Sequence, residues 1–368
     1  MKRTVELNPI LSYKGTTKIF PSFVTGKQIT TIGGVHYFYY RFLLGLIRFI
    51  FRYRLKAFGS SYKRHDTVPE NKEVEKIYAR EAKTYEYKHH LTTNFRDTWW
   101  RRQVGLEVMS YIRAHNKKSS TVNLLDIGTG IGLSMEEMFC VFKLFDIHVN
   151  AVGLDYNEKM LKEANSVILS RMKENSLLKK DVREIRFTRG DARNLTDGKD
   201  GSLEYFSKES FDVITIMFGI GGVDYPLEAI KEQLLVLKRD GILIVTDMHR
   251  PILELSEKWP WFIGSKYGAA FSAMAWEHAT KPLALAMLWG WRDPSLVFYL
   301  SPLLSHYDED KRVYYGFEQV SLSLNNEFWW FNVPVVPTAK IVLKKIEISK
   351  EEFKDKQEQL HNTTYLWN

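Results

Sequence analysis

The chain predicts an α/β fold: a doubly wound, Rossmann-like parallel sheet with helices on both faces. Three observations carry this. Short apolar runs recur from Val122 to Thr246, with helix-period segments between them. The first run ends in an acid and three glycines at alternate positions, Asp126, Gly128, Gly130 and Gly132. Two later runs are also followed by acids, Asp155 and Asp191.

In chain order, residues 1–70 form an N-terminal extension. They hold twelve Lys/Arg against three Asp/Glu, a balance of +9, whereas the whole 368-residue chain is +8. Residues 71–368 therefore sum to −1, and the basic excess lies outside the core. That distribution argues against a nucleic-acid partner, which calls for positive charge around the site itself. Within the extension, Val35–Leu55 reads VHYFYYRFLLGLIRFIFRYRL. On a helix, Arg41, Gly45, Arg48 and Arg52 share one narrow face. A membrane-spanning helix would place three arginines at depth, each costing about 2.5–3.5 kcal/mol at the bilayer centre. Two readings fit better. One is a helix lying in an anionic membrane surface, arginines toward headgroups. The other is a helix packed on the protein's own core with its arginines snorkelling to solvent.

Ser60–Lys72 is polar, contains Pro69, and reads as a linker; Asn71–His90 reads as a charged helix. His89 and His90 are adjacent, but no further ligands at zinc spacing accompany them, and no metal is expected.

The core begins at Val122–Ile127, a buried strand. The glycines that follow permit left-handed backbone and close approach of a ligand, and the helix from Leu133 points its N-terminus there. Leu133 stands where a dinucleotide fingerprint has its third glycine, so a nicotinamide or flavin site is not indicated. His148–Leu154 is the second strand, and Asp155 at its tip can accept from two ribose hydroxyls. Ile185–Thr188 is the third, followed by Gly190, Asp191 and Ala192. Phe211–Phe218 is the fourth, then a helix opened by Pro226 with Leu227, Ile230, Leu234 and Leu237 at helical spacing. Asp240–Gly241 turns into the fifth, Ile242–Thr246. The final strand pair is expected at Phe328–Val335 and Ala339–Ile348. The single cysteine, Cys140, forms no internal disulfide and suits a reducing compartment. The first twenty residues carry scattered charges and no continuous apolar run, so no cleavable signal peptide is expected.

The D-x-G-x-G-x-G stretch at Asp126–Gly132 resembles the first motif of class I S-adenosylmethionine-dependent methyltransferases. The resemblance implies a seven-stranded sheet and S-adenosyl-L-methionine as cofactor. It implies cofactor contacts at Asp126, Gly128, Gly130, Ile131, Asp155, Tyr156, Asp191, Ala192 and Met217, with Asp191 near the adenine. Within that class the chain is similar to the ubiquinone/menaquinone C-methyltransferases. The similarity rests on Ala82–Glu86 followed by Trp100-Arg101-Arg102, on Phe211–Val223, and on Tyr315–Val320, read as a glycine-phenylalanine turn. One departure is plain: that subgroup has Arg-Asn where this chain has Gly221-Gly222, which puts the quinone acceptor in doubt more than the cofactor. Ile131 likewise stands where the subgroup has threonine.

Residues 251–327 are read as a large cap insertion between the 71–250 core and the last strands at 328–368. Seven of the ten tryptophans lie in 251–335. Pro282–Trp291 and Ser295–Leu304 are strongly apolar. The cap either encloses a greasy acceptor or forms a second small core on the sheet edge. His249, just after the fifth strand, and His90 are the candidates for a general base, since a histidine titrates near neutral pH. The expected function is methyl transfer to a lipophilic small molecule (quinone, phenol or other lipid-like acceptor) at the cytoplasmic side of a membrane, with peripheral association. N-methylation of a lipid head group and a non-catalytic cofactor-binding subunit are the alternatives. The oligomeric state is not legible.

Overall fold

The computed structural model describes residues 1–8, 11–16, 21–25, 28–57, 71–93, 95–115, 121–145, 147, 149–177, 185–198, 203–223, 225–248, 270–271, 273–275, 295–325, 329–330, 333–334 and 338–364. The extension is not wholly helical. β1 (Lys2–Asn8) pairs with β4 (Gln28–Gly33), and β2 (Leu11–Thr16) with β3 (Pro21–Thr25), both antiparallel. Helix α1 (Gly34–Ala57) follows directly. One side buries Tyr40 and Leu44 against Ala270, Phe271 and Met274, with the Tyr40 and Phe271 rings edge-on at 5.0 Å. Away from that side, Val35, Phe38, Tyr39, Phe42, Leu46, Phe49 and Tyr53 stand exposed, Phe42 by 69% and Tyr53 by 71%. These positions recur every three or four residues and so make one stripe. No described helix is long and apolar enough to cross a membrane. The expected linker falls largely outside the described residues.

The charged helix expected over Asn71–His90 is broken in two. α2 (Asn71–Glu81) gives way to a tight turn at Ala82–Thr84 and then α3 (Tyr85–Thr93). α4 (Arg96–Ala114) runs into the core proper.

The core alternates strand and helix: β5 (Val122–Ile127), α5 (Leu133–Phe145), β6 (Val149–Asp155), α6 (Glu158–Glu163), α7 (Leu169–Glu174), β7 (Ile185–Arg189), β8 (Phe211–Met217), α8 (Pro226–Val236) and β9 (Leu237–Met248). After the insertion come α9 (Ser295–Leu300), β10 (Ser305–Asp308), β11 (Val313–Asn325), the small pair β12 (Trp329–Trp330) and β13 (Val333–Pro334), β14 (Thr338–Ile348) and α10 (Lys350–Thr364). The main sheet runs β10-β11-β14-β9-β8-β5-β6-β7, with β5 to β9 parallel and β14, β11 and β10 antiparallel. Six of its strands, β5 to β9 and β14, fall where the sequence predicts them; β11 and β10 complete that edge of the sheet.

Every residue of β8 is buried, which is why its sequence is apolar without alternation. Val213 and Met217 face one layer with Trp100, Val104 and Phe139. Ile214 and Ile216 face the other with Ile230, Leu234 and Leu243. The last strand pair differs from expectation. Thr338–Ile348 pairs with Val313–Asn325, and Phe328–Val335 contributes only β12 and β13. Gly316 is therefore not in a turn but inside β11, opposite Ile346. A side chain there would meet Ile348 Cδ1 at 3.0 Å, so the glycine makes room for packing rather than for a bend. Pro282–Trp291, the most apolar stretch expected of the cap, lies outside the described residues, and Ser295–Leu304 is helical over most of its length.

Candidate active site

β5 is flanked by β6 on one side and β8 on the other, so the sheet reverses its winding there. A cavity opens at the carboxyl ends of these strands, the place where doubly wound sheets bind ligands. Its floor is the glycine turn. Gly128, Gly130 and Gly132 adopt φ of +65°, +56° and +91°, a region that side chains rarely enter. At Gly132 a side chain would also strike Phe187 at 2.9 Å. At Gly128 it would sit 3.4 Å from the Gly219 backbone.

Asp155 joins this turn to the second strand. Its Oδ2 accepts the N–H of Gly130 and its Oδ1 the N–H of Asn157, both at 2.8 Å. Burial pushes the carboxyl up, while these N–H donors favour its charge. The residue lines the cavity. Asn157 caps α6 through its side chain, accepting from Lys159 N at 3.0 Å and Met160 N at 3.2 Å. Its amide also donates to Glu75 O at 2.7 Å, tying α2 to the rim.

Farther along the wall are Asp191 and Ala192. Burial opposes the charge of Asp191, but Arg193 outweighs it and holds the carboxyl below the usual carboxylate range. The guanidinium grips both oxygens, Nε to Oδ1 at 3.0 Å and a terminal nitrogen to Oδ2 at 2.7 Å. The other end is aromatic: Tyr78, Tyr85 and Phe218, with Gly219, Gly222 and Val223. Phe218 has φ +56°, an uncommon backbone for a bulky residue, fixed by its N–H to Thr246 O at 2.8 Å. Its ring meets Trp100 at 5.5 Å and His89 at 5.6 Å, and the Arg101 guanidinium at 5.7 Å.

Arg101 belongs to a buried ion network behind this wall. Asp97, 0% exposed, accepts from Arg101, from Thr93 Oγ1 at 2.6 Å and from His90 Nδ1 at 3.0 Å. Burial opposes the Asp97 charge, but Arg101 and the histidines hold its carboxyl far below the usual range.

The structure brings Gly128, Gly130, Asp155, Tyr156, Asp191 and Ala192 together on one cavity. Three expected contacts are corrected. Asp126 does not line it: the side chain is buried in the sheet and accepts from Thr215 Oγ1 at 2.7 Å, with its pKa pushed up by burial to about 6. Ile131 is packed in the core beneath the turn. Met217 points to the opposite face of β8 from Ile216, the alternation that puts Ile216 on the wall. His90 is corrected as a base. Burial favours its neutral form, but hydrogen bonds to Asp97 and Glu86 outweigh that and push its pKa up to about 9. It is protonated at neutral pH and stacks on Phe95 away from the cavity lining. His249 lies outside the described residues.

Sequence reasoning did not find Glu75, Tyr78, Asn157, Arg193 or Gly219. Asn157 carried a readable signal, a capping residue just before a helix. Tyr78 carried none, because it reaches the site from a helix 50 residues upstream of Gly128.

The residues fit S-adenosylmethionine on this geometry. A side chain at Gly128 or Gly130 would fill the cradle, and a half-buried carboxylate, Asp155, lines the same cavity. Fold and site have the form of the class I S-adenosylmethionine-dependent methyltransferases. The chain matches the family described as ubiE/COQ5 methyltransferase family over residues 66–267, and it belongs to that family. It is 28% identical over 191 residues to the demethylmenaquinone methyltransferase of Lactobacillus johnsonii, covering 51% of this chain and 66% of that one. It is 28% identical over 197 residues to the ubiquinone/menaquinone biosynthesis C-methyltransferase UbiE of Pseudomonas putida, covering 53% and 66%. The match thus spans just under two thirds of either relative's length. Among solved structures, the YcgJ protein of Bacillus subtilis aligns with TM-score 0.38 and 16% identity, covering 62% of this chain and 94% of that one.

Proposed function

We propose that this chain transfers a methyl group from S-adenosylmethionine to a lipophilic acceptor of the quinone or phenol class, at an anionic membrane surface. The observation that carries the chemistry is one cavity lined both by a half-buried carboxylate, Asp155, and by the aromatic side chains of Tyr78, Tyr85 and Phe218. Two relatives whose names place them in menaquinone or ubiquinone biosynthesis support the acceptor class. The cofactor supplies an activated methyl and its own leaving group. The protein's part is alignment and exclusion of water. Asp155 would accept hydrogen bonds from the sugar hydroxyls, Asp191 and Ala192 would bound the base, and Gly128 and Gly130 would let the cofactor approach the backbone. Phe218, Tyr78 and Tyr85 give the same cavity an apolar wall that would exclude water. His249, next in sequence to Met248 at the end of β9, is the candidate to take the acceptor's proton.

The bare stripe of α1 supports the membrane part of the reading. Seven apolar side chains are exposed on one helix, and Arg41 and Arg48 lie beside them on a neighbouring face. Aromatics enter the acyl boundary while arginines meet anionic headgroups, and the basic extension adds long-range attraction. The test is methyl transfer from labelled S-adenosylmethionine to a reduced naphthoquinone carried in anionic vesicles. Label in the lipid phase is the expected result; folded protein that leaves no label there contradicts the acceptor class.

A further inference from the structure

Arg101 is 3% exposed, and its guanidinium reaches neighbours from separate parts of the chain. A terminal nitrogen donates to Asp97, one turn back on α4. Nε donates to Ser134 Oγ at 3.2 Å. The guanidinium carbon lies 5.7 Å from the centre of the Phe218 ring. Ser134 is the second residue of α5 and stands two positions after Gly132, directly behind the glycine turn. Phe218 follows β8 and lines the cavity. β5 and β8 are adjacent parallel strands, so one side chain joins the segments that leave both.

A guanidinium out of water needs a partner held in place. Asp97 is held from several sides. Thr93 Oγ1 donates to it at 2.6 Å, and the Nδ1 atoms of His90 and His89 lie 3.0 and 3.3 Å from its oxygens. Such a pair is not an efficient source of stability, since well-packed apolar side chains of similar volume often do as well. What the guanidinium adds is direction. It is a flat fork with donors fixed in one plane and a face that packs on aromatic rings. A lysine ammonium keeps the charge but has no second donor fixed toward Ser134. The first turn of α5 has another anchor: Arg171 of α7 donates to Glu136 from Nε at 2.7 Å and to Glu86 of α3 at 3.1 Å.

We propose that Arg101 is a positioning residue for the cofactor: through Ser134 and Phe218 it holds the glycine turn and the residue after β8 at the separation that S-adenosylmethionine needs. This rests on the methyltransferase reading above and adds a residue that acts from behind the site. Arg101 is not among the described residues that line the cavity, so its effect on a ligand passes through its neighbours.

The test is a double-mutant cycle on the full chain, read by calorimetric titration with S-adenosylhomocysteine and, separately, by thermal unfolding. Ser134→Ala is expected to weaken binding about fivefold in the wild-type background, the scale of one lost hydrogen bond. Arg101→Lys, which keeps a cation beside Asp97, is expected to weaken it about tenfold, and Ser134→Ala to add nothing further in that background. A merely structural role would lower the unfolding temperature and leave the affinity of the folded protein unchanged. Unchanged affinity in both single variants, or losses that simply add, overturns the inference and leaves the cofactor reading intact. If Arg101→Lys does not fold, Ser134→Ala decides, and wild-type affinity in that variant overturns the inference. Wild type that does not bind S-adenosylhomocysteine, measured first, overturns the cofactor reading and the inference with it.

Discussion

Gly130 donates its backbone N–H to Asp155 at 2.8 Å, so the glycine turn of the first strand and the carboxylate at the tip of the second form one rigid unit. The turn also donates from Thr129 N to Leu154 O at 3.0 Å, which fixes the same junction a second time.

The glycine turn should not tolerate a methyl group. Gly132→Ala places a side chain at φ +91° and 2.9 Å from Phe187. The expected cost is about 1–3 kcal/mol for the strained backbone, with more from the overlap. Urea unfolding monitored by tryptophan fluorescence measures it. A midpoint unchanged from wild type would refute the packing described at this turn.

The network behind the aromatic wall carries a pH dependence. His90 has its folded pKa raised to about 9. An unfolded histidine titrates near 6.5. The stabilisation is therefore fully present below about pH 6.5 and is lost as pH rises through 9, a change of roughly 1–2 kcal/mol. His90→Gln should flatten the stability profile between pH 6.5 and 9.5. A wild-type profile already flat across that window contradicts the pairing with Asp97.

Turnover should depend on His249 while cofactor affinity does not. His249→Ala is expected to lower kcat about 10²-fold, the scale of a lost general base. S-adenosylhomocysteine should bind as to wild type. Full activity in the variant would favour an acceptor that needs no base, such as a head-group amine.

The α1 stripe should govern membrane binding on its own. Phe38→Ser, Phe42→Ser and Phe49→Ser together remove three of its exposed aromatic rings. Complete burial of each ring is worth roughly 1.5–3 kcal/mol, so even partial insertion predicts at least a tenfold loss of binding to anionic vesicles. Flotation assays read this directly. Undiminished flotation would assign the stripe to something other than a bilayer.

Much of the core was legible because β5, β6, β8 and β9 are apolar runs closed by glycines or acids, and local pattern suffices for such elements. Asp155 and Asp191, which line the cavity, were legible as strand-end acids for the same reason. Asp126 was misplaced because a strand-end acid can turn inward, and only the neighbouring strand's Thr215 reveals it. His90 was misread because its protonation depends on Glu86, one turn back on α3, and on Asp97, which reaches it from α4. Gly316 looked like a turn because a glycine chosen for packing reads the same as one chosen for φ. Tyr78 and Gly222 meet only through tertiary contact, across more than a hundred residues of sequence.

The most direct test of the account is calorimetric titration of the full chain with S-adenosylhomocysteine, for wild type and for Asp155→Asn. Wild type is expected to bind at micromolar concentration, and Asp155→Asn about tenfold or more weaker, since a hydrogen bond to a charged group is worth roughly 1.5–3 kcal/mol. Equal affinity in the two would contradict the role of Asp155, and no binding by folded wild type would contradict the methyltransferase site itself.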